Sequence, residues 1–268
     1  MTSLLSFVEK HRVLLLTGAG CSTKSGIPDY RGATTGRAPR NPIQHTAFLR
    51  SAQVRKRYWA RSCLGWPRFA AANPNDAHRA CAELESLGRA VGLVSQNVDG
   101  LHQAAGSRGV VELHGSLARV SCLACPKVIS RTQLQTKLVR DNPTWLQLVA
   151  ATAPDGDVDL PEHLVEAFVG PRCACGGDLM PNVVFFGGNV NPDVLQSAWD
   201  LFHQAEGLLV VGSSLTVFSG FRFVKKAAEQ GMPIAIVNFG PTRADDLATL
   251  RMDADAGETL RDVVRALS

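Results

Sequence analysis

Short apolar runs, each ending in a glycine or a small polar residue, constrain this chain more than any other feature. Residues 13–16 (VLLL) run into Gly18, residues 207–211 (GLLVV) into Gly212, and residues 233–237 (PIAIV) into Asn238. A strand with one wet face alternates apolar and polar positions. A run apolar throughout belongs to a strand covered on both faces, as in parallel sheets. Val91, Leu93 and Val94 make a similar run, as do residues 183–186 (VVFF). Helical patterns lie between the runs, at 192–205, 220–230 and 258–267. Strands alternating with helices predict an α/β fold with a doubly wound, Rossmann-like parallel sheet.

Two stretches break that alternation. Residues 33–75 are rich in Arg, Pro and aromatics and show no buried strand, while residues 122–178 hold two cysteine pairs, a helical piece near 131–149 and a polar loop. The division this predicts gives 1–34, 82–121 and 179–268 to the Rossmann-like domain. It leaves 35–81 (a helical module) and 122–178 (a zinc-binding module) to a smaller lobe. The natural ligand site is a cleft between lobes. Arg50, Arg55, Lys56, Arg57 and Arg61 form a local basic cluster that reads first as a solvated helix face. A net charge of +4 from 28 basic and 24 acidic residues is too dispersed to point to nucleic acid. No apolar stretch has the length of a membrane span, and the N-terminal sequence resembles neither a signal nor a transit peptide, so the expected compartment is the cytoplasm.

Polar side chains at strand ends are where open α/β sheets hold ligands. After the run at 91–94 come Gln96, Asn97, Val98 and Asp99, and a second short run, 110–113, delivers His114. A histidine there suits a general base near neutral pH, though a capped loop with a hydrogen-bonded structural histidine meets the same pattern. After the first strand, Thr17-Gly18-Ala19-Gly20-Cys21-Ser22 offers a glycine turn and a helix start to a pyrophosphate. Thr23 stands where a dinucleotide fingerprint has its third glycine, so a plain tight turn fits as well. The continuation Gly26-Ile27-Pro28-Asp29-Tyr30-Arg31 adds a stiff bend, two hydrogen-bonding side chains and a flat ring. With Gly212-Ser213-Ser214 and Asn238-Phe239-Gly240, three strand ends carry residues suited to phosphate, ribose and adenine.

Cys122-Leu-Ala-Cys125 and Cys173-Ala-Cys175-Gly-Gly supply four thiols for one structural zinc ion. A redox dithiol is the competitor, but this C-x-x-C does not open a helix after a central strand. His163 is a fallback ligand, and Cys21, Cys63 and Cys81 read as buried thiols.

GAGCSTKSGIPDYRG, QNVDGLHQAAG, ELHG, the cysteine pairs, VVFFGG, VVGSSL and IVNFGPTRADDL, in this order from about residue 10 to 265, resemble a sirtuin. Residues 39–45 (PRNPIQH), RYWAR and APDGDV resemble its class II, mitochondrial sirtuin-4-like branch. The resemblance implies an NAD-dependent protein lysine deacylase, of deacetylase or delipoamidase type, with a Rossmann-like domain and a small zinc lobe. It implies that Gly18, Ala19, Gly20, Ser22 and Thr23, with Ile27 through Arg31, hold the pyrophosphate and nicotinamide side. Gln96, Asn97, Val98 and Asp99 would line the ribose pocket, Gly212 to Ser214 and Asn238 to Gly240 the adenosine half, and the Ala256 backbone the adenine. In the family mechanism the acyl oxygen attacks the anomeric carbon as nicotinamide leaves, and His114 then deprotonates a ribose hydroxyl, with Asn97 and Asp99 positioning the sugar. Val183, Phe185, Phe186 and Gly187 would pair with the substrate peptide as an added strand. Gly188 stands where many members carry an acidic residue. Tyr58 and Arg61 have the Y-x-x-R spacing by which desuccinylating members bind acidic acyl groups; a surface Arg beside a core aromatic explains that spacing equally.

The expected partners are acyl-lysine proteins, with no nucleic acid or membrane, and the expected state is a monomer. Rival readings are a protein mono-ADP-ribosyltransferase on the same NAD bed, a non-catalytic NAD or ADP-ribose sensor, and a zinc-ribbon nucleic-acid binder. A sensor has no need of Asn97, Asp99 and His114 together, and the basic residues are not concentrated beside the cysteines.

Overall fold

The computed structural model describes residues 3–29, 42–147 and 160–268. In chain order its strands are β1 (Val13–Thr17), β2 (Ala90–Ser95), β3 (Val110–Glu112), β4 (Gly115–Cys122), β5 (Val128–Ser130), β6 (Leu179–Val183), β7 (Gly207–Val211), β8 (Ile234–Val237) and β9 (Leu250–Met252). The helices are α1 (Leu4–Lys10), α2 (His45–Arg50), α3 (Ala52–Ala70), α4 (Asp76–Ser86), α5 (Leu101–Ala104), α6 (Arg131–Asp141), α7 (Glu162–Ala167), α8 (Pro192–His203), α9 (Phe218–Glu229) and α10 (Ala256–Leu267). They fall into two compact units, one from Met1–Ala38, Asn73–His114 and Val190–Ser268, the other from Pro39–Ala72 and Gly115–Asn189.

The first unit is built on a six-stranded sheet in the order β3-β2-β1-β7-β8-β9, with every pairing parallel. Each apolar run serves both faces of this sheet. Val13 and Leu15, Leu209 and Val211, and Ala235 and Val237 join a core with residues of α1, α4 and α10. Their neighbours Leu14 and Leu16, Leu208 and Val210, and Ile234 and Ile236 join a second core with residues of α8 and α9. Two covered faces with period-2 side chains are why the runs contain no polar residue.

The second unit holds a three-stranded antiparallel sheet in the order β5-β4-β6. Its core gathers Phe48, Tyr58, Trp59, Trp145, Val165 and Phe168 around the sheet. Arg131 is 1% exposed there, its guanidinium donating to the Ser62 carbonyl and hydroxyl and to Gln135, and lying over the rings of Trp59 and Trp66. The basic cluster on α3 is not a solvated face throughout. Arg55 donates to the Phe48 and Leu49 carbonyls and pairs with Asp178 at 2.8 Å, and Lys56 donates to the Glu166 carbonyl.

The structure corrects the predicted division in three places. Residues 115–121 and 179–189 belong to the smaller unit, because β4 and β6 pair with each other antiparallel. The VVFF run is therefore no parallel strand: β6 ends at Val183, and Phe185 is buried against Phe48 and Tyr58. Residues 73–81 belong to the larger unit, because Ala77, Ala80, Cys81 and Leu84 of α4 lie in the core with β1 and α10.

Candidate active site

Numbered within its own sheet, the parallel sheet has the order 3-2-1-4-5-6: successive strands are added towards one edge as far as β3, and from β7 onward towards the other, so the strand order switches between β1 and β7. Ligands of open α/β sheets bind at the carboxyl ends of such a switch point. The predicted loops all lie there. Residues 18–29 follow β1, residues 96–99 follow β2, residues 212–214 follow β7 and residues 238–240 follow β8.

The loops after β1 and β7 interlock. Gly18 N–H donates to the Val211 carbonyl and Gly20 N–H to the Gly212 carbonyl, at 3.1 and 2.8 Å. A Cβ on Gly18 would meet Ser213 Cβ at 2.7 Å, and one on Gly212, whose φ is +58°, would meet the Cys21 nitrogen at 2.5 Å. The glycines are thus demanded by loop-on-loop packing as well as by backbone access. The expected helix start is absent: Ala19–Cys21 and Thr23–Ser25 form two single 3-10 turns. Thr23 Oγ1 donates to the Gly20 carbonyl, and Ile27 N–H to the Ser22 carbonyl. Pro28 and Asp29 follow in an irregular stretch. Tyr30 and Arg31 lie outside the described residues.

Beyond the ends of β1 and β2 a polar network fixes the residues expected at the ribose. Asn97 Nδ2 donates to the Gly18 carbonyl at 2.9 Å and to Ser22 Oγ at 3.1 Å. Ser22 Oγ donates to Asp99 Oδ2 at 2.6 Å, and Asp99 Oδ1 accepts from Leu101 N–H. The Gln96 carboxamide donates to the Thr17 carbonyl and to Ser213 Oγ, tying the ends of β1, β2 and β7 together. Val98 is half-buried between them in the chain.

This network reaches a residue that no local sequence pattern singles out. His78, fully buried on α4, has Nδ1 accepting from the Asn75 N–H and Nε2 3.4 Å from Ser22 Oγ. A backbone N–H can only donate, so the proton of neutral His78 sits on Nε2 and points at Ser22. Burial lowers its pKa, opposed by Asp99. The His102 ring lies tilted against it, with centroids 4.7 Å apart, and burial, with His78 beside it, pushes its pKa down to about 3.

His114 closes the site. Its Nδ1 lies 2.8 Å from the Gln96 carbonyl and its Nε2 2.7 Å from Ser219 Oγ, in the first turn of α9. A carbonyl only accepts, so Nδ1 carries the proton and Nε2 presents its lone pair. Burial lowers the His114 pKa, the Gln96 carbonyl opposes, and the Arg222 charge lowers it further. A neutral imidazole with one unprotonated nitrogen is a proton acceptor at pH 7.

On the far side of the switch point, Ser213 is buried and Ser214 exposed, Asn238 Nδ2 donates to the Phe239 and Gly240 carbonyls, and the Phe239 ring is 67% exposed. Ala256 opens α10 behind its Asp255 cap. These ends fit a dinucleotide: a switch-point crevice, interlocked glycine turns, fixed polar side chains and an exposed ring for a base to cover.

In the second unit, Cys122 ends β4 and Cys125 sits in the turn between β4 and β5, with Cys173 and Cys175 in the turn before β6. Their sulfurs lie within 4.8 Å of one another, with Cys122–Cys175, Cys125–Cys173 and Cys125–Cys175 at 3.6, 3.8 and 3.5 Å. Tetrahedral thiolate ligands about 2.3 Å from a metal lie about 3.8 Å apart, so this cluster could hold one ion without rearrangement. Gly176 turns the chain at φ +84°, and a Cβ on Gly177 would strike Cys122 Sγ at 2.8 Å. Among the described residues this is the one His/Cys/Asp/Glu cluster with that spacing, and His163 is not part of it. Cys21, Cys63 and Cys81 are buried thiols, as expected.

The predicted substrate segment also lies in this unit. Gly115 pairs with Val183, the Phe186 carbonyl accepts from His45 N–H at 2.8 Å, and Gly187 takes φ +75°. Tyr58 is 3% exposed, edge-on to Phe48 and Phe185, and Arg61 lies one turn along α3.

The sheet order and the strand-end residues define a Rossmann-type dinucleotide site. A model of the Sir2 family matches residues 18–219. The chain is 52% identical over 260 residues to an NAD-dependent protein deacetylase of Xanthomonas campestris pv. campestris (strain 8004), covering 96% of this chain and 89% of that one. It is 52% identical over 253 residues to the human mitochondrial NAD-dependent protein lipoamidase sirtuin-4, covering 93% and 81%. A solved structure described as "Sir2-p53 peptide-NAD+" superposes with a TM-score of 0.78 at 31% identity, covering 98% and 96%. This chain belongs to the Sir2 family.

Proposed function

We propose that this chain is an NAD-dependent protein lysine deacylase with His114 as general base. The observation that carries the reading is the unprotonated Nε2 of a neutral imidazole whose Nδ1–H is held by the carbonyl of Gln96, the residue that precedes Asn97 in the loop after β2. Bound NAD supplies an anomeric carbon with nicotinamide as its leaving group, and so an acceptor for the acyl oxygen. Asn97 and Asp99 are held by Gly18, Ser22 and Leu101 to meet the ribose hydroxyls, and His114 Nε2 takes a proton from one of them. No enzyme nucleophile is required, which agrees with Cys21 being buried, its thiol pushed up by that burial. The loops at 18–29, 212–214 and 238–240, with Ala256, hold the dinucleotide.

The four cysteines hold one zinc ion with a structural role, since all four positions are protein thiolates and none is left for substrate. Residues 183–187 take the acyl-lysine peptide. Relatives named deacetylase and lipoamidase favour acyl transfer over the ADP-ribosyltransferase reading. A mass-spectrometric screen of acyl-lysine peptides with and without NAD tests the proposal. NAD-dependent loss of the acyl group supports it, and label from NAD appearing on protein with no deacylation overturns it. In the same screen, Arg61→Met changes the preference for acidic acyl groups if Arg61 binds them, and an unchanged preference removes that role.

A further inference from the structure

Ser219 was absent from the sequence-based site, yet it makes the closest side-chain contact to His114, at 2.7 Å from Nε2. The donor and acceptor roles in this contact are determined. Because Nδ1–H is committed to the Gln96 carbonyl, Nε2 has only a lone pair, and the Ser219 hydroxyl must donate to it. The hydroxyl is free for this: α9 is capped by Val217, and Ser219 makes no helix-capping bond. Its placement is built. Gly220 follows it, and a Cβ there would lie 2.4 Å from Gln96 Oε1. The Gln96 residue that orients one side of the imidazole therefore packs on the backbone that presents Ser219 to the other. Burial is the main cause that keeps the ring neutral, and the positive charge of Arg222, one turn further along α9, adds a smaller push in the same direction.

We infer that Ser219 is a positioning residue for the base. It holds His114 in the Nδ1–H tautomer with Nε2 directed at the site, and it is the partner that the proton-donating ribose hydroxyl replaces. When that hydroxyl gives its proton to Nε2, its O–H bond breaks and an N–H bond forms. The new N–H is then satisfied by the Ser219 oxygen, the serine turning from donor to acceptor with no net change in its own protons. The inference rests on His114 being the base, and it goes further by assigning the group that sets its ring and tautomer.

The test pairs a spectroscopic readout on the free protein with two partial reactions. In Ser219→Ala the side-chain 15N signal of His114 Nε2 moves downfield, as expected for a pyridine-type nitrogen losing a donor. Deacylation falls about 5- to 10-fold, the worth of one hydrogen bond to the base. Nicotinamide–NAD exchange, which precedes proton removal, stays within about twofold. Ser219→Thr, keeping the hydroxyl, restores both the signal and the rate. An unmoved Nε2 signal, or an equal loss in exchange and deacylation, overturns the inference. His114→Ala is the control for the underlying reading: if it deacylates normally the base assignment fails, whereas a dead His114→Ala with an unaffected Ser219→Ala removes Ser219 alone.

Discussion

Ser22 Oγ donates to Asp99 Oδ2 at 2.6 Å, joining the loop after β1 to the loop after β2. The same oxygen accepts from Asn97 Nδ2 at 3.1 Å and faces His78 Nε2 at 3.4 Å. One hydroxyl thus fixes the carboxylate and the amide assigned to the ribose, with a buried imidazole behind it.

Ser22→Ala leaves the Asn97 amide and the His78 N–H short of an acceptor and frees the Asp99 carboxylate to turn. An unsatisfied buried group costs about 1–3 kcal/mol, and the loss falls on the geometry of the sugar site. The expected result is a fall of about tenfold in kcat/KM for NAD, with a smaller change for the acyl peptide. Unaltered NAD kinetics would show that Asp99 is positioned without Ser22.

Removing one cysteine tests the metal centre. Cys173→Ser replaces a thiolate of the cluster, and bound ions of this kind stabilise the fold directly. Elemental analysis is expected to find one zinc per wild-type chain and a substoichiometric amount in the variant, with a lower melting temperature. Full occupancy and an unchanged melting temperature in the variant would remove Cys173 from the ligand set.

His102 makes stability depend on pH. Its ring is 1% exposed, neither nitrogen has a hydrogen-bond partner among the described residues, and its pKa falls from 6.5 to about 3. Between those values the unfolded chain binds a proton that the folded chain refuses. Stability is therefore fully present above pH 6.5 and is lost as pH falls towards 3, with a slope of up to about 1.4 kcal/mol per pH unit. Urea unfolding of wild type and His102→Phe across this range is expected to show a shallower slope in the variant. Identical slopes would contradict the assignment.

The parallel sheet was legible because its strands bury both faces and so carry no polar residue: residues 13–16, 207–211 and 233–237 lie within or over β1, β7 and β8. The same signal misassigned residues 183–186, since an apolar run reports burial and not the direction of its partner. His114 stood out in the sequence because it follows directly on a short apolar run, and the structure puts it in the turn just after β3. Ser219 and His78 did not stand out. Ser219 meets His114 across 105 positions and His78 meets Ser22 across 56, and no local spacing records either contact. The glycines after β1 were read as room for phosphate, while their tightest contacts are with the loop after β7.

The base assignment itself is tested most directly by His114→Ala, with overall deacylation and nicotinamide–NAD exchange measured on the same acyl-lysine peptide. General-base removal costs about 100-fold or more. The account predicts that deacylation falls by at least that factor while exchange persists and the protein melts cooperatively. Deacylation at the wild-type rate in this variant would contradict it.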